Sequence, residues 1–373
     1  MRKSLSVLLM LLVVLMPAAA ASESFTVEAK AAVLIDGASG RVLFAQNANE
    51  RLPMASTTKI MTAIIALENS RMGEIVTASK NASGVEGSSI YLSVGEELSM
   101  EHMLYGLMLR SGNDAAVAIA EHVAGSVDAF VEMMNAKAKE LGANARFVNP
   151  HGLPAEGHAA SALGMALIMR SALTIPDFRT ITGTTRKVIP WVGNEYSRVL
   201  ENKNKLLTTY EGATGGKTGY TTEAGRCLVF SAKRDGLELI GVVLSCPTWF
   251  DTATALLDYG FENYRAQTAL RSGQATGAVA LNNGSNSTVA VVAGGELSSA
   301  IAVDKPFTLQ YEYLENLSAP IRKGDVLGTA YMISGGETLA SCPLLAAEDV
   351  NEWNFGEALR TVLRNWLLRF ASE

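Results

Sequence analysis

Cysteine and histidine are scarce in this chain of 373 residues, and each shortage excludes a class of protein. The three cysteines, Cys227, Cys246 and Cys342, are too few and too odd in number for a disulfide framework. Cys227 and Cys246 lie on two strand-like runs joined by a tight turn, and that hairpin would place residue 243 or 244 opposite Cys227, which disfavours a disulfide between them. The four histidines lack the spacing of a helical zinc site, so we expect no metal and no other cofactor.

Clustered basic charge is also missing. The formal net charge is -6, long runs of one sign are absent, and no basic stripe carries interleaved aromatic residues. Nucleic-acid binding requires a positive surface that attracts phosphates. We therefore expect no nucleic-acid partner.

The longest apolar run near the start of the chain is short. Arg2 and Lys3 precede an apolar stretch from Leu5 to Met16, and alanines follow at positions 18 to 21. This build is typical of a cleaved signal peptide, and the run falls short of the roughly 20 residues that cross a bilayer as a helix. We expect residues 1–21 to be a signal peptide and the remainder to be exported, with a permanent N-terminal anchor as the alternative.

Residues 22–267 alternate between helical and strand-like patterns. The run 30–45 predicts a strand hairpin. Start signals at Pro53, Ser56 and Thr57, followed by apolar residues at helical spacing from Ile60 to Leu67, predict a helix through Glu68. Further helices are expected near 100–109, 114–124, 127–141, 162–173 and 252–264. Further strands are expected at 217–221, 226–232 and 237–244. Helices between an early hairpin and late strands imply an α+β domain whose sheet brings its first and last strands together.

Two smaller parts follow this domain. Residues 268–348 contain short alternating runs between turns, which predict a small all-β domain. Within residues 349–373, the stretch 353–370 places Phe355, Leu359, Val362, Leu363, Trp366 and Phe370 on one helical face, with three arginines off it. We expect an amphipathic helix that lies on a membrane surface. Packing of this helix on its own β-domain or on a second copy is the alternative.

Three short motifs occur in order along the first domain: Ser56-Thr57-Thr58-Lys59, Ser111-Gly112-Asn113 and Lys217-Thr218-Gly219. Each is weak alone, since a Ser-x-x-Lys match is expected on the order of once by chance in a chain of this length. Together, and in this order, they form a specific signal for a serine nucleophile.

Ser56 and Lys59 share one face of the first turn of a predicted helix. A serine hydroxyl is a poor nucleophile until a base takes its proton, and a lysine becomes that base when burial or neighbouring cations lower its pKa. We therefore predict Ser56 as nucleophile and Lys59 as base. The alternatives are an N-cap serine and a solvated helix charge.

Ser111 and Asn113 lie in a polar break between two apolar helices. Ser111 can pass a proton between Lys59 and a leaving amine, and Asn113 can hold Lys59 and a substrate amide. A helix end followed by a turn and a new N-cap is the structural alternative. That alternative accounts for Asp114 better than for Asn113.

Lys217 and Thr218 on a strand present a cation and a hydroxyl to a substrate carboxylate, and Gly219 lets a peptide lie close to the backbone. The structural alternative is an exposed lysine at a strand end. A tetrahedral intermediate also needs hydrogen-bond donors for its oxygen, and the backbone N–H groups of Ser56 and Tyr220 are the predicted pair.

The chain resembles the low-molecular-mass penicillin-binding proteins of the serine D-alanyl-D-alanine carboxypeptidase type. The resemblance rests on MASTTKIMTA, LYGLMLRSGNDAAVAIAEH, FVNPHGL, NKNKLL, KTGYT and, in the β-domain, LSAPIRKGDVLGTA. It implies the penicillin-binding and serine β-lactamase-like transpeptidase fold, and a surface-attached, extracytoplasmic enzyme. It also implies acylation of the serine by a peptidoglycan stem peptide ending in D-Ala-D-Ala, release of D-alanine, hydrolysis by water, and covalent inhibition by β-lactams.

Two stretches depart from the pattern of that family. His158-Ala159-Ala160-Ser161 stands where relatives usually have a His-Tyr-Ser-Thr run, and Thr214-Gly215-Gly216 replaces a more usual Asp-Gly followed by a β-branched residue. Gly216 is expected to loosen the strand beside the site. We expect both departures to change only the substrate groove.

Two rival functions share features of this sequence. A class A-like β-lactamase shares the serine and lysine but resembles chains with a deacylating glutamate in a Glu-x-x-Leu-Asn motif, which this sequence lacks. A non-catalytic wall-binding protein of the same fold is the second rival, and the complete set of motifs disfavours it.

Overall fold

The computed structural model describes residues 25–353 together with Phe355, Gly356, Leu359 and Leu363. The predicted signal peptide lies outside the described residues, and so does most of the predicted helix over 353–370. Among the described helices, none has the length and apolar content needed to cross a membrane.

Helices and strands alternate through the first domain, and strands alone build the second. The helices are α1 (Lys59–Asn69), α2 (Met100–Tyr105), α3 (Asn113–Ala124), α4 (Val127–Glu140), α5 (Ala162–Ala172), α6 (Pro176–Gly183), α7 (Leu206–Thr209) and α8 (Trp249–Asn263). The strands of the first domain are β1 (Ala31–Asp36), β2 (Val42–Gln46), β3 (Arg51–Leu52), β4 (Ile75–Thr77), β5 (Glu97–Ser99), β6 (Ala145–Arg146), β7 (Ala159–Ser161), β8 (Arg186–Ile189), β9 (Arg198–Glu201), β10 (Ala213–Thr221), β11 (Gly225–Arg234) and β12 (Leu237–Leu244). Those of the second are β13 (Tyr264–Leu270), β14 (Ala275–Ala280), β15 (Thr288–Ala293), β16 (Leu297–Ala302), β17 (Thr308–Tyr313), β18 (Val326–Ser334) and β19 (Glu337–Ala346).

An antiparallel sheet of order β10-β11-β12-β1-β2 organises the first domain. The first strand pairs with the last long one, with Val33 opposite Val242, which confirms the predicted closure and the α+β class. The sheet is buried on both faces because its side chains alternate between two cores. Val229 packs among the helices α1 to α6, whereas Leu228 and Phe230 pack against α8.

The predicted helix over residues 100–109 is not continuous. It ends as α2 at Tyr105 and continues as a wider π-helical turn, Gly106–Arg110. Gly106 allows this turn to lie close to Ile90, since a Cβ at Gly106 would be 2.7 Å from Ile90 Cδ1. The π-turn delivers Ser111 in a left-handed backbone conformation, φ 64°.

The second domain is built from the sheet β14-β15-β19-β18-β17 and the pair β13-β16 around one apolar core, as the composition predicts. It contacts the first domain through buried polar groups. Ala300 N donates to Asp36 Oδ2 at 2.9 Å, and Arg41 donates to Ala300 O at 3.0 Å. The three cysteines are buried and free, so Cys227 and Cys246 form no disulfide.

Candidate active site

Ser56 and Lys59 lie at the junction between a 3-10 turn, Ala55–Thr58, and helix α1. Two threonine hydroxyls close this turn by donating to the carbonyls three residues earlier, Thr57 to Met54 O at 2.7 Å and Thr58 to Ala55 O at 2.8 Å. Ser56 is partly exposed, whereas Lys59 is fully buried. The turn therefore leaves the serine partly accessible and buries the lysine beneath it.

The Lys59 amine has three close oxygen partners. Nζ is 3.0 Å from Ser56 Oγ, 2.7 Å from Asn113 Oδ1 and 2.6 Å from His151 O. Asn113 Nδ2 donates to Glu86 O at 2.6 Å, which fixes the amide so that its oxygen faces the lysine. The Asn113 and His151 oxygens can only accept, so in a neutral amine they take both N–H bonds. The lone pair of the amine then faces the Ser56 hydroxyl.

The surroundings of Lys59 favour that neutral amine. Burial lowers its pKa well below the ordinary lysine value, and the positive charges of Lys217 and Lys203 lower it further, against an opposing effect of Asp114. Desolvation and like charge both penalise the protonated form. Lys59 is thus arranged to accept a proton.

Ser111 and Asn113 reach the site from the break between the π-turn and α3. Ser111 Oγ is buried and has no hydrogen-bond partner among the described residues. Asp114 is buried and accepts hydrogen bonds from Ile90 N and Leu92 N, which ties the segment 88–92 to α3. Asn113 contacts Lys59 by a hydrogen bond. Ser111 forms no hydrogen bond with either residue.

Lys217, Thr218, Gly219 and Tyr220 follow one another on β10, the edge strand of the sheet. Lys217 is buried, its Nζ donates to Thr218 O at 2.9 Å, and burial together with the charge of Lys203 lowers its pKa to about 7. The structural alternative of an exposed lysine at a strand end is wrong. Within the part of the chain that the structure describes, no strand pairs with the outer edge of β10, so this edge can receive an extended peptide.

Gly219 brings β10 against the turn that carries Ser56. A Cβ at position 219 would be 2.9 Å from Ser56 N and 3.0 Å from Met54 O, so a side chain there would push the strand away. Tyr220 is the next residue and is exposed. The strand and the turn thus bring the two predicted oxyanion donors, the N–H groups of Ser56 and Tyr220, onto adjacent segments.

Gly216 lies within the paired part of β10, and the loosening expected there stays a prediction. The strand runs unbroken through this position, with Gly216 opposite Phe230. Its φ of +143° is a conformation that residues with side chains rarely adopt, and a Cβ would overlap Val229 O. Thr182 completes the arrangement, because its hydroxyl accepts from Gly216 N at 2.9 Å and donates to Gly216 O at 3.0 Å.

The other departure, at residues 158–161, lies beside the same turn. His158 is buried, and its Nε2 is 2.8 Å from Thr58 Oγ1. Ser161 caps α5 by accepting from Gly164 N at 3.0 Å, a role that serine fills as well as threonine. Ala159 and Ala160 complete the short strand β7.

Sequence reasoning missed two groups that act on the lysines. Lys203 donates to Ser88 Oγ at 3.0 Å and lowers the pKa of both Lys59 and Lys217 through its charge. The backbone carbonyl of His151 binds the Lys59 amine. The phrases NKNKLL and FVNPHGL contain these residues, but a backbone oxygen leaves no trace in side-chain identity.

Comparison with known proteins places the chain among bacterial cell-wall enzymes. The peptidase family described as D-alanyl-D-alanine carboxypeptidase matches residues 17–248, and the C-terminal domain of penicillin-binding protein 5 matches residues 264–352. The chain is 37% identical over 351 residues to D-alanyl-D-alanine carboxypeptidase DacF of Bacillus subtilis, covering 91% of this chain and 90% of that protein. It is 33% identical over 353 residues to DacC of Escherichia coli, with 89% and 87% covered. The crystal structure of penicillin binding protein 5 from Haemophilus influenzae aligns with a TM-score of 0.78 at 31% identity, covering 88% of this chain and 98% of that one.

Proposed function

The chain belongs to the D-alanyl-D-alanine carboxypeptidase family, and from that premise we propose that Ser56 removes the terminal D-alanine of peptidoglycan stem peptides through an acyl-enzyme. The protein is a serine-type hydrolase with a penicillin-binding-protein fold. The assignment of Ser56 as nucleophile depends on one observation. Its hydroxyl is 3.0 Å from the amine of Lys59, a lysine whose pKa is lowered by burial. The roles of the other residues follow from their contacts.

Acylation begins with transfer of the Ser56 hydroxyl proton to the neutral Lys59 amine. The Ser56 oxygen then bonds to the carbonyl carbon of the penultimate D-alanine. Asn113 and the His151 carbonyl hold the amine so that its lone pair faces the hydroxyl. This arrangement supplies the base that a serine nucleophile requires.

The negative oxygen of the tetrahedral intermediate is stabilised by the N–H groups of Ser56 and Tyr220. The close approach of Gly219 to Ser56 N supports this pairing. When the intermediate collapses, the peptide C–N bond breaks and D-alanine leaves with a proton on its amine. The Ser111 hydroxyl, which has no hydrogen-bond partner among the residues that the structure describes, passes that proton from Lys59 to the amine. Water then hydrolyses the ester and restores Ser56.

Lys217 and Thr218 recognise the terminal carboxylate of the substrate. Both side chains are buried beside the free edge of β10, where a carboxylate can replace the Thr218 carbonyl as partner of the lysine. An arriving carboxylate also favours the charged lysine, so binding raises the pKa of Lys217. This pair explains why a peptidase of this kind acts at the end of a chain.

β-Lactams enter the same cycle as covalent inhibitors. They present a reactive amide and a carboxylate to the groups that bind the peptide, and Ser56 opens their ring to form a penicilloyl ester. The sequence lacks the deacylating glutamate motif of class A β-lactamases. The adduct is therefore long-lived, which distinguishes this protein from a β-lactamase. Formation of the adduct distinguishes the protein from a non-catalytic wall-binding protein.

Release of D-alanine from a peptide ending in D-Ala-D-Ala tests the assignment. The wild-type protein should release D-alanine, and Ser56→Ala should release none while keeping the wild-type circular dichroism and melting temperature. D-alanine release by folded Ser56→Ala would reject Ser56 as the nucleophile. Absence of release by the wild-type protein would reject the activity itself.

We further propose that the enzyme is exported and attached to the outer face of the cytoplasmic membrane through residues 353–370. The signal-peptide pattern of residues 1–21 and the apolar stripe of the terminal segment support this location. Three apolar residues of that stripe, Phe355, Leu359 and Leu363, are exposed. Exposed apolar side chains gain most from burial in a membrane interface or in a protein partner.

A vesicle sedimentation assay tests the attachment. Truncation after Trp353 retains Val350, which is buried in the second domain and bridged to Ile321, so the domain keeps its core. The full-length protein should sediment with anionic vesicles, and the truncated protein should not. A full-length double variant, Leu359→Glu with Leu363→Glu, should also stay in solution. Sedimentation of the truncated form, or its absence in the full-length form, would reject the attachment.

A further inference from the structure

Ala55, the residue before the proposed nucleophile, has a strained backbone. Its φ is +48°, in the left-handed region that residues with a side chain rarely adopt, and it is buried. Such a conformation persists only when the surrounding structure holds it. The groups that hold Ala55 therefore bear on the geometry of Ser56.

The Ala55 carbonyl is held by one hydroxyl and by close packing. Thr58 Oγ1 donates to Ala55 O at 2.8 Å. Gly152 lies so close that a Cβ there would overlap the same oxygen, and it would be 2.9 Å from Thr58 Oγ1. The Thr58 hydroxyl and the Gly152 backbone together hold the Ala55 carbonyl in one orientation.

His158 completes a chain of hydrogen bonds to that carbonyl. Val148 N donates to His158 Nδ1 at 3.0 Å, so the lone pair is on Nδ1 and the proton of the neutral ring is on Nε2. Nε2 then donates to Thr58 Oγ1 at 2.8 Å, which leaves the Thr58 proton for Ala55 O. Burial is the main cause that lowers the pKa of His158 to about 4, so the ring is neutral at physiological pH.

The peptide plane links this chain to catalysis. The Ala55 carbonyl and the Ser56 N–H belong to the same planar trans peptide, so fixing the oxygen fixes the direction of the N–H on the opposite side. Hydrogen bonds in a chain also polarise one another, and donation to the oxygen makes the N–H a stronger donor. The Ser56 N–H is the group proposed above as an oxyanion donor.

We propose that His158 and Thr58 are positioning residues that orient and polarise the Ser56 N–H through the Ala55 carbonyl. The proposal rests on the proposed function, because it assigns a purpose to an oxyanion donor. It concerns the rate of the covalent steps and not the affinity for the ligand. Acylation and deacylation both pass through an oxyanion, so both depend on the same N–H.

Paired substitutions separate this role from simple structural support. Glutamine at position 158 places an amide near the Nε2 position and can still donate to Thr58. Asparagine places its amide near the Nδ1 position and can still accept from Val148 N, but it does not reach Thr58. At position 58, serine keeps the hydroxyl, whereas valine replaces it with a methyl group of the same shape.

The measurement is stopped-flow acylation by penicillin over a range of concentrations, followed by the rate of loss of the adduct. His158→Asn and Thr58→Val should lower the first-order acylation rate constant roughly 10- to 100-fold, somewhat less than removal of an oxyanion donor, with little change in the dissociation constant of the non-covalent complex. Deacylation should slow in parallel. His158→Gln and Thr58→Ser should stay close to wild type.

The opposite ranking at position 158 would overturn the proposal. If His158 only anchors the loop at Val148, asparagine should preserve acylation and glutamine should not. Wild-type acylation rates in folded Thr58→Val would also overturn it, and that variant decides the matter if His158→Asn does not fold. Failure of the wild-type protein to acylate at Ser56 would instead reject the proposed function.

Discussion

Replacing Lys217 with methionine is expected to stabilise the folded protein at neutral pH while abolishing its activity. The Lys217 side chain is 1% exposed, and burial together with the charge of Lys203 lowers its pKa from 10.5 to about 7. In the unfolded chain the same amine is in water and keeps the ordinary lysine pKa. Between pH 7 and pH 10.5 the unfolded chain therefore holds a proton that the folded protein has released.

The sign of the effect follows from this difference. A folded-state pKa below the unfolded-state pKa means that folding penalises the charged form, so stability rises as the pH increases from about 7 to about 10.5. Linkage sets the penalty at about 4 kcal/mol at pH 7 and about 2 kcal/mol at pH 9. Methionine avoids it but gives up the hydrogen bond to Thr218 O, which is worth about 1 kcal/mol. The net gain at pH 7 is therefore about 3 kcal/mol.

Urea unfolding of both proteins at pH 6, 7, 8 and 9 measures these free energies. Lys217→Met should be more stable than wild type at pH 7, and its advantage should shrink by about 2 kcal/mol at pH 9. D-Alanine release should be lost, because methionine cannot bind a carboxylate. A variant that is less stable than wild type at pH 7, or an advantage that does not change with pH, would refute the reasoning.

Three further predictions concern the same site. Gly216→Ala should lower the free energy of unfolding by roughly 2 to 4 kcal/mol, because the new Cβ would overlap Val229 O. The control Gly277→Ala, at a similar φ of +139° but in open space, should lower it less, and equal losses in urea unfolding would contradict this reasoning. Acylation should increase as the pH rises through the Lys59 pKa. Lys217→Gln, which keeps part of the activity, should move this rise to higher pH because it removes a nearby positive charge, and an unmoved rise in the pH–rate profile would show that the two lysines do not interact. Lys217→Gln should cost about 2 to 3 kcal/mol in kcat/KM toward a free carboxylate and little toward a C-terminally amidated peptide, so an equal loss with both peptides would exclude Lys217 as the partner of the carboxylate.

Much of the site could be predicted from the sequence because its main interactions are local. The spacing of Ser56 and Lys59 puts both on one turn, and the structure places their side chains in hydrogen-bond contact. Apolar periodicity predicted the major helices, and a hairpin at each end of the first domain predicted the closure of its sheet. These patterns depend on neighbours in the chain, which the sequence displays directly.

The remaining features depend on contacts between distant segments. His158 meets Thr58 across 100 positions, and Lys59 binds a backbone oxygen 92 positions away. The need for glycine at position 216 could not be predicted either, because it arises from contact with Val229 on the next strand. The π-turn before Ser111 likewise depends on packing against Ile90.

Mass spectrometry of the penicillin-treated protein tests the central claim most directly. The account predicts one stable penicilloyl group per molecule, located after proteolysis on the peptide that contains Ser56. Ser56→Ala treated in the same way should remain unmodified while retaining its fold. An adduct on another residue, labelling of folded Ser56→Ala, or an intact wild-type protein without an adduct would contradict the account.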